Sequence, residues 1–134
     1  MRSRAYREQI AAFRQLFSEF PNQIDEVRDA AVRGHLIKLS GLLRMHFKME
    51  EQYIFPEMLK HADPAVRALI KEFREDLPPV VEEFDEFYTV WSRPGAVNTD
   101  PNTFLGEWTH VKIALCARID REERELFAAF DRAG

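Results

Sequence analysis

His46-Phe47-Lys48-Met49-Glu50-Glu51-Gln52-Tyr53-Ile54-Phe55-Pro56 is the stretch whose reading decides the fold. On a 3.6-residue repeat His46 and Glu50 lie one turn apart on a single helix face. Their neighbours make that face apolar, because Val32, Leu36, Leu39, Leu43, His46, Glu50 and Tyr53 follow one another at spacings of four and three. An imidazole and a carboxylate therefore occupy a seam where leucine is expected. A polar pair in a core has to be satisfied, and a metal ion, a buried ion-pair network or internal water could do it.

The rest of the chain repeats this helical pattern. Tyr6, Ile10, Phe13, Leu16, Phe17 and Phe20 mark a first helix that Pro21-Asn22 ends. Asp25 is read as the N-cap of a second helix running to about Lys60, in which Gly34 and Gly41 cost propensity but allow a close helix approach. Asp63-Pro64 opens a third, with Val66, Leu69, Phe73, Leu77, Val80, Phe84, Phe87 and Trp91 as its seam. Pro78-Pro79 falls inside that pattern, so a kink or short break is expected near Leu77. Ser92 to Asn102 reads as a loop, and Phe104, Trp108, Val111, Leu115, Arg118 and Glu122 mark a fourth helix. The expected helices cover residues 4 to 20, 25 to 60, 64 to 92 and 102 to 131. No alternating strand pattern is present, and no internal repeat is read beyond the recurrence of one helix type.

Four amphipathic helices with short links imply an all-α, antiparallel up-and-down four-helix bundle, since each apolar stripe must be buried against the others. A chain of 134 residues, 46% hydrophobic, fits one domain spanning 1-134. The formal net charge is −4 with both signs interleaved, which leaves no basic stripe for nucleic acid. No run approaches the length of a membrane span, and the single cysteine, Cys116, rules out an internal disulfide and fits a reducing compartment. The expected location is the cytoplasm. No nucleophile elbow, Gly-rich phosphate loop or Cys/His pair in a seam is present, so the chain is not read as an enzyme.

In an alternating bundle the layer around His46 and Glu50 receives Gln9 from the first helix, Phe73 from the third, and Arg118 with Glu122 from the fourth. Leu43-x-x-His46-Phe47-x-x-Glu50-Glu51-x-x-x-Phe55-Pro56 resembles the second-helix signature of the hemerythrin-like (HHE cation-binding) family. Ala117-Arg118-Ile119-Asp120-Arg121-Glu122-Glu123-x-Glu125-Leu126-Phe127 resembles its fourth-helix counterpart, with arginine where histidine belongs. The resemblance implies a bundle built to hold two irons and to bind oxygen or sense iron or redox state. It carries over only His46, Glu50 and Glu122 as metal ligands, because Gln9, Phe73 and Arg118 stand at the other positions.

A guanidinium stays cationic and cannot ligate. The expected outcome is a degenerate site, with no cofactor at full occupancy and at most one residual iron or other divalent ion. Gln9, His46, Glu50, Arg118 and Glu122 are then expected to form a polar core network. A second resemblance, carried by His46-Phe47 and Leu115-Cys116-Ala117-Arg118-x-x-x-Glu122, is to the regulator-of-sigma-D (Rsd/AlgQ) family. It implies a metal-free regulator whose partner is a sigma factor. Glu107-x-x-His110 is read as an accidental motif, and His35 and His61 as surface or capping residues.

Overall fold

The structure, a computed structural model, describes residues 1–133. Among them no strand occurs, and four long rods carry the fold. The first rod is α1 (Arg4–Glu19). The second is α2 (Asp29–Met49), continued by a π-helical turn (Glu50–Ile54) and the short α3 (Phe55–Met58). The third is α4 (Pro64–Trp91), after which α5 (Ala96–Thr99) occupies the connection. The fourth is α6 (Pro101–Arg121), continued by a second π-helical turn (Glu122–Leu126) and α7 (Phe127–Ala133). α1 packs on α2 and α4 on α6, as short connections between antiparallel neighbours require.

Local signals explain where the rods begin. Asp63 accepts a hydrogen bond from the Ala65 amide at 2.9 Å, and Pro64 supplies the first residue of α4. Asp100 and Pro101 repeat the device at α6. Asp25, by contrast, does not cap α2 but lies in a 3₁₀ turn (Ile24–Glu26). The rod starts at Asp29, whose carboxylate accepts from Arg33 Nε at 2.9 Å and from the Gly95 amide at 3.1 Å. Gly95 reaches that position with a left-handed φ of 81°.

Of the kink or short break expected near Leu77, a break does not occur, and α4 is helical through both prolines. Pro78, Pro79, Arg74 and Glu75 are all exposed, so the carbonyls deprived of proline donors belong to the solvent side of the rod. The irregularities fall instead at Glu50–Ile54 and Glu122–Leu126, where the Phe55 and Phe127 amides reach back five residues to Glu50 O and Glu122 O. Each turn takes in one extra residue. Ile54 is thereby fully buried while Tyr53, expected in the seam, is 62% exposed. Gly34 and Gly41 serve no close approach, since a Cβ on either would meet nothing within 4 Å.

All eleven phenylalanines are buried, each worth about 1.5–3 kcal/mol relative to exposure. At one end of the bundle Phe20 stacks on Trp108 with centroids 4.0 Å apart, and Trp91 meets Phe104 edge-on at 5.5 Å. Toward the other end the apolar packing is interrupted by a polar layer.

Candidate metal centre

Four charged side chains meet in that layer. His46 and Glu50 come from the second rod, Arg118 and Glu122 from the fourth; His46, Glu50 and Glu122 are fully buried, and Arg118 is 6% exposed. Gln9 of α1 and Phe73 of α4 complete the ring, so every rod contributes. Both glutamates are the first residues of the π-helical turns, which let Glu50 face inward together with Ile54 and Phe55, and Glu122 with Leu126 and Phe127.

His46 Nε2 lies 2.7 Å from Glu122 Oε1 and 3.2 Å from Glu50 Oε2, and His46 Nδ1 lies 2.6 Å from Gln9 Oε1. Arg118 donates from Nε to Glu122 Oε2 at 2.8 Å and from Nη1 to the Phe73 carbonyl at 2.9 Å. Its Nη2 is 3.7 Å from Glu50 Oε1. Its guanidinium carbon stands 4.9 Å from the Phe73 ring centroid. The site is unevenly satisfied: both Glu122 oxygens lie in short hydrogen bonds, whereas Glu50 meets His46 and Arg118 Nη2 only through the longer ion contacts.

The charges follow from these contacts. Burial alone pulls the His46 pKa down, but the Glu122 and Glu50 carboxylates outweigh it and raise it to about 9. Burial and then the Glu122 charge push Glu50 up to about 8. Glu122 stays below the ordinary carboxylate range despite burial, because His46 above all, and then Glu50 and Arg118, favour its charged form.

Arg118 stands where His46 stands in the other half of the chain. Leu43, His46, Glu50, Glu51, Ile54 and Phe55 recur, at identical spacing, as Leu115, Arg118, Glu122, Glu123, Leu126 and Phe127. Together with the matched π-helical turns this is an internal repeat, which the seam pattern alone does not expose. Sequence reasoning also missed Met49, whose Sδ accepts from Gln9 Nε2 at 3.3 Å, and the Phe73 carbonyl. The first had a signal in its position three residues after His46; the second had none, since a main-chain acceptor is set by the fold.

One nitrogen and two carboxylate oxygens, from His46, Glu50 and Glu122, lie within 4.8 Å of one another and can hold a cation. This donor set suits a single divalent ion, and Glu50, held only by ion contacts at 3.2 and 3.7 Å, keeps its oxygens available to one. A pair of ions does not fit, because Arg118 fills the second half of the layer with a fixed positive charge. Glu107 and His110 remain apart on the surface, where His110 Nε2 meets Glu83 at 2.8 Å. His35 is half-buried against Phe20, and His61 Nδ1 accepts from the Asp63 amide at 3.0 Å.

A helical bundle with an inward His/Glu/Glu cluster defines a class of cation-binding modules. The chain belongs to the hemerythrin HHE cation-binding domain family, whose model matches residues 4–130. No curated protein and no solved structure matches it. Among the described residues, no helix is long and apolar enough to cross a membrane.

Proposed function

We propose that the protein is a non-enzymatic cytoplasmic binding and sensing module that takes one divalent cation, iron or another transition ion, at His46, Glu50 and Glu122, with Arg118 in place of a second. The observation that carries this reading is the cluster itself: His46, Glu50 and Glu122 are fully buried, and each offers a ligand atom within 4.8 Å of the others. Without a metal these buried groups balance one another by holding protons, and a cation would take the place of those protons. His46 and the two glutamates hold the ion, and the ion would supply charge neutralisation and an open coordination position. Arg118 keeps the site mononuclear. The sensing step is mechanical: His46 is tied to α1 through Gln9 and Arg118 to α4 through the Phe73 carbonyl. A change of occupancy therefore reaches all four rods.

The alternative is a metal-free interaction protein of the anti-sigma kind, and it is favoured by the complete pairing of Glu122 with His46 and Arg118. Elemental analysis of protein purified from iron- and zinc-supplemented cells separates the two. The expected result is up to one ion per chain, lost in Glu50→Gln. Two ions per chain would overturn the degenerate site, and none, with no uptake on titration, would leave the interaction protein as the reading.

A further inference from the structure

We infer that Gln9 is a positioning residue that keeps a proton on His46 Nδ1 and so reserves Nε2 as the one imidazole nitrogen available to a cation between Glu50 and Glu122. This rests on the single-cation reading above. The two ends of a glutamine amide are nearly the same in shape, so their chemistry decides the orientation. Gln9 Nε2 is 3.3 Å from Met49 Sδ, and a thioether sulfur carries only lone pairs. The amide nitrogen belongs there, and Oε1 is left 2.6 Å from His46 Nδ1. A carbonyl oxygen can only accept, so Nδ1 must donate. The reverse orientation would set the amide oxygen against sulfur with no hydrogen between them.

The imidazole is also prevented from turning over to exchange its nitrogens. Tyr6, Phe13, Phe47 and Phe127 stand edge-on around it, with centroids 6.1, 5.2, 5.5 and 6.2 Å away. Gln9 thus acts one step back from the position where the family resemblance implies a ligand. Its contacts are with the nitrogen that faces away from the carboxylates. A histidine ligand whose second nitrogen donates to a fixed acceptor is held in tautomer and orientation, and losing that acceptor typically costs 10- to 100-fold in metal affinity.

The test uses the full chain, zinc as a diamagnetic probe, nitrogen-15 NMR of the imidazole and zinc affinity by competition with a chelator. In the zinc form His46 should show a protected Nδ1–H and a metal-bound Nε2. Gln9→Leu should lose that protection and bind zinc on the order of 10- to 100-fold more weakly, and Gln9→Glu, which keeps an acceptor, should restore both. A zinc-bound Nδ1, or unchanged protection and affinity in Gln9→Leu, overturns the inference. If Gln9→Leu does not fold, Met49→Leu, which leaves the layer intact but frees the amide to turn over, should weaken protection and affinity, and no change there counts against Gln9. A parent that takes no zinc defeats the single-cation reading and with it the reservation of Nε2, but leaves the Nδ1 proton to be tested on its own. In that case a protected Nδ1–H in the metal-free parent, lost in Gln9→Leu, upholds the role of Gln9, and its absence from the parent overturns it.

Discussion

Arg118 carries the only charge in the layer that cannot be neutralised by proton exchange. Its Nε–Glu122 bond and Nη1–Phe73 carbonyl bond fix it among buried groups. Removing one member of a buried ion network strands its partners at a cost of roughly 3–5 kcal/mol, whereas replacing the whole set by apolar residues can be neutral or stabilising. In chelator-treated protein, Arg118→Leu should therefore lower stability by about that amount, and adding Glu50→Leu and Glu122→Leu should recover much of it. Urea melts of the single and triple variants decide this. A mild Arg118→Leu combined with a parent that chelator destabilises would place the balancing charge on a metal. At this scale the positions of His46, Glu50, Arg118 and Glu122 were legible, because polar residues at seam spacing are conspicuous. The looser ion contacts of Glu50 and the two-sided contact of Gln9 were not. Spacing fixes which face a residue occupies but says nothing about the rotamer that aims its polar atoms.

The two π-helical turns are where helical bookkeeping from sequence slips by one residue. A strict 4,3,4,3 reading continues His46, Glu50 to Tyr53, and the extra residue hands that place to Ile54. Ile54-Phe55 and Leu126-Phe127 are adjacent apolar pairs, and a wider turn buries both members of each pair beneath its glutamate. At Pro56 it also relieves the clash of the proline ring with the preceding turn. The register makes a direct prediction. Tyr53→Ala should change stability by no more than about 0.5 kcal/mol, while Ile54→Ala should cost about 2–5 kcal/mol. The reverse ranking in thermal or denaturant melts would mean that the rod is regular α-helix at this point. The proline pair in α4 errs the other way: an interior proline signals disruption, yet two of them on an exposed face leave the rod intact. The rods and their order were legible because apolar periodicity survives such local changes.

In the molecule as a whole the layer is a tie through all four rods, so its protonation enters global stability. The sign differs among its members. His46 has a folded pKa of about 9 against an ordinary 6.5, so its contribution is complete below 6.5 and is lost as pH rises through 9. Glu50, raised from 4.5 to about 8, is protonated in the fold where the unfolded chain has already released its proton, and it too weakens the fold as pH rises across that window. Glu122, held below 4.5, contributes above its ordinary range and loses this only in acid. Between about pH 6.5 and 8 the folded layer thus holds more protons than the same groups in the unfolded chain. At about 1.4 kcal/mol per proton per pH unit, each proton so held is worth roughly 2 kcal/mol across the window, and stability falls as pH rises. Urea unfolding in chelator-containing buffer should show this decline toward alkaline pH, reduced by about half in Glu50→Gln. A divalent ion, by taking the place of the protons, should flatten the curve. A parent whose stability is constant from pH 6 to 8.5 without metal would show that His46 and Glu50 are not protonated together in the layer.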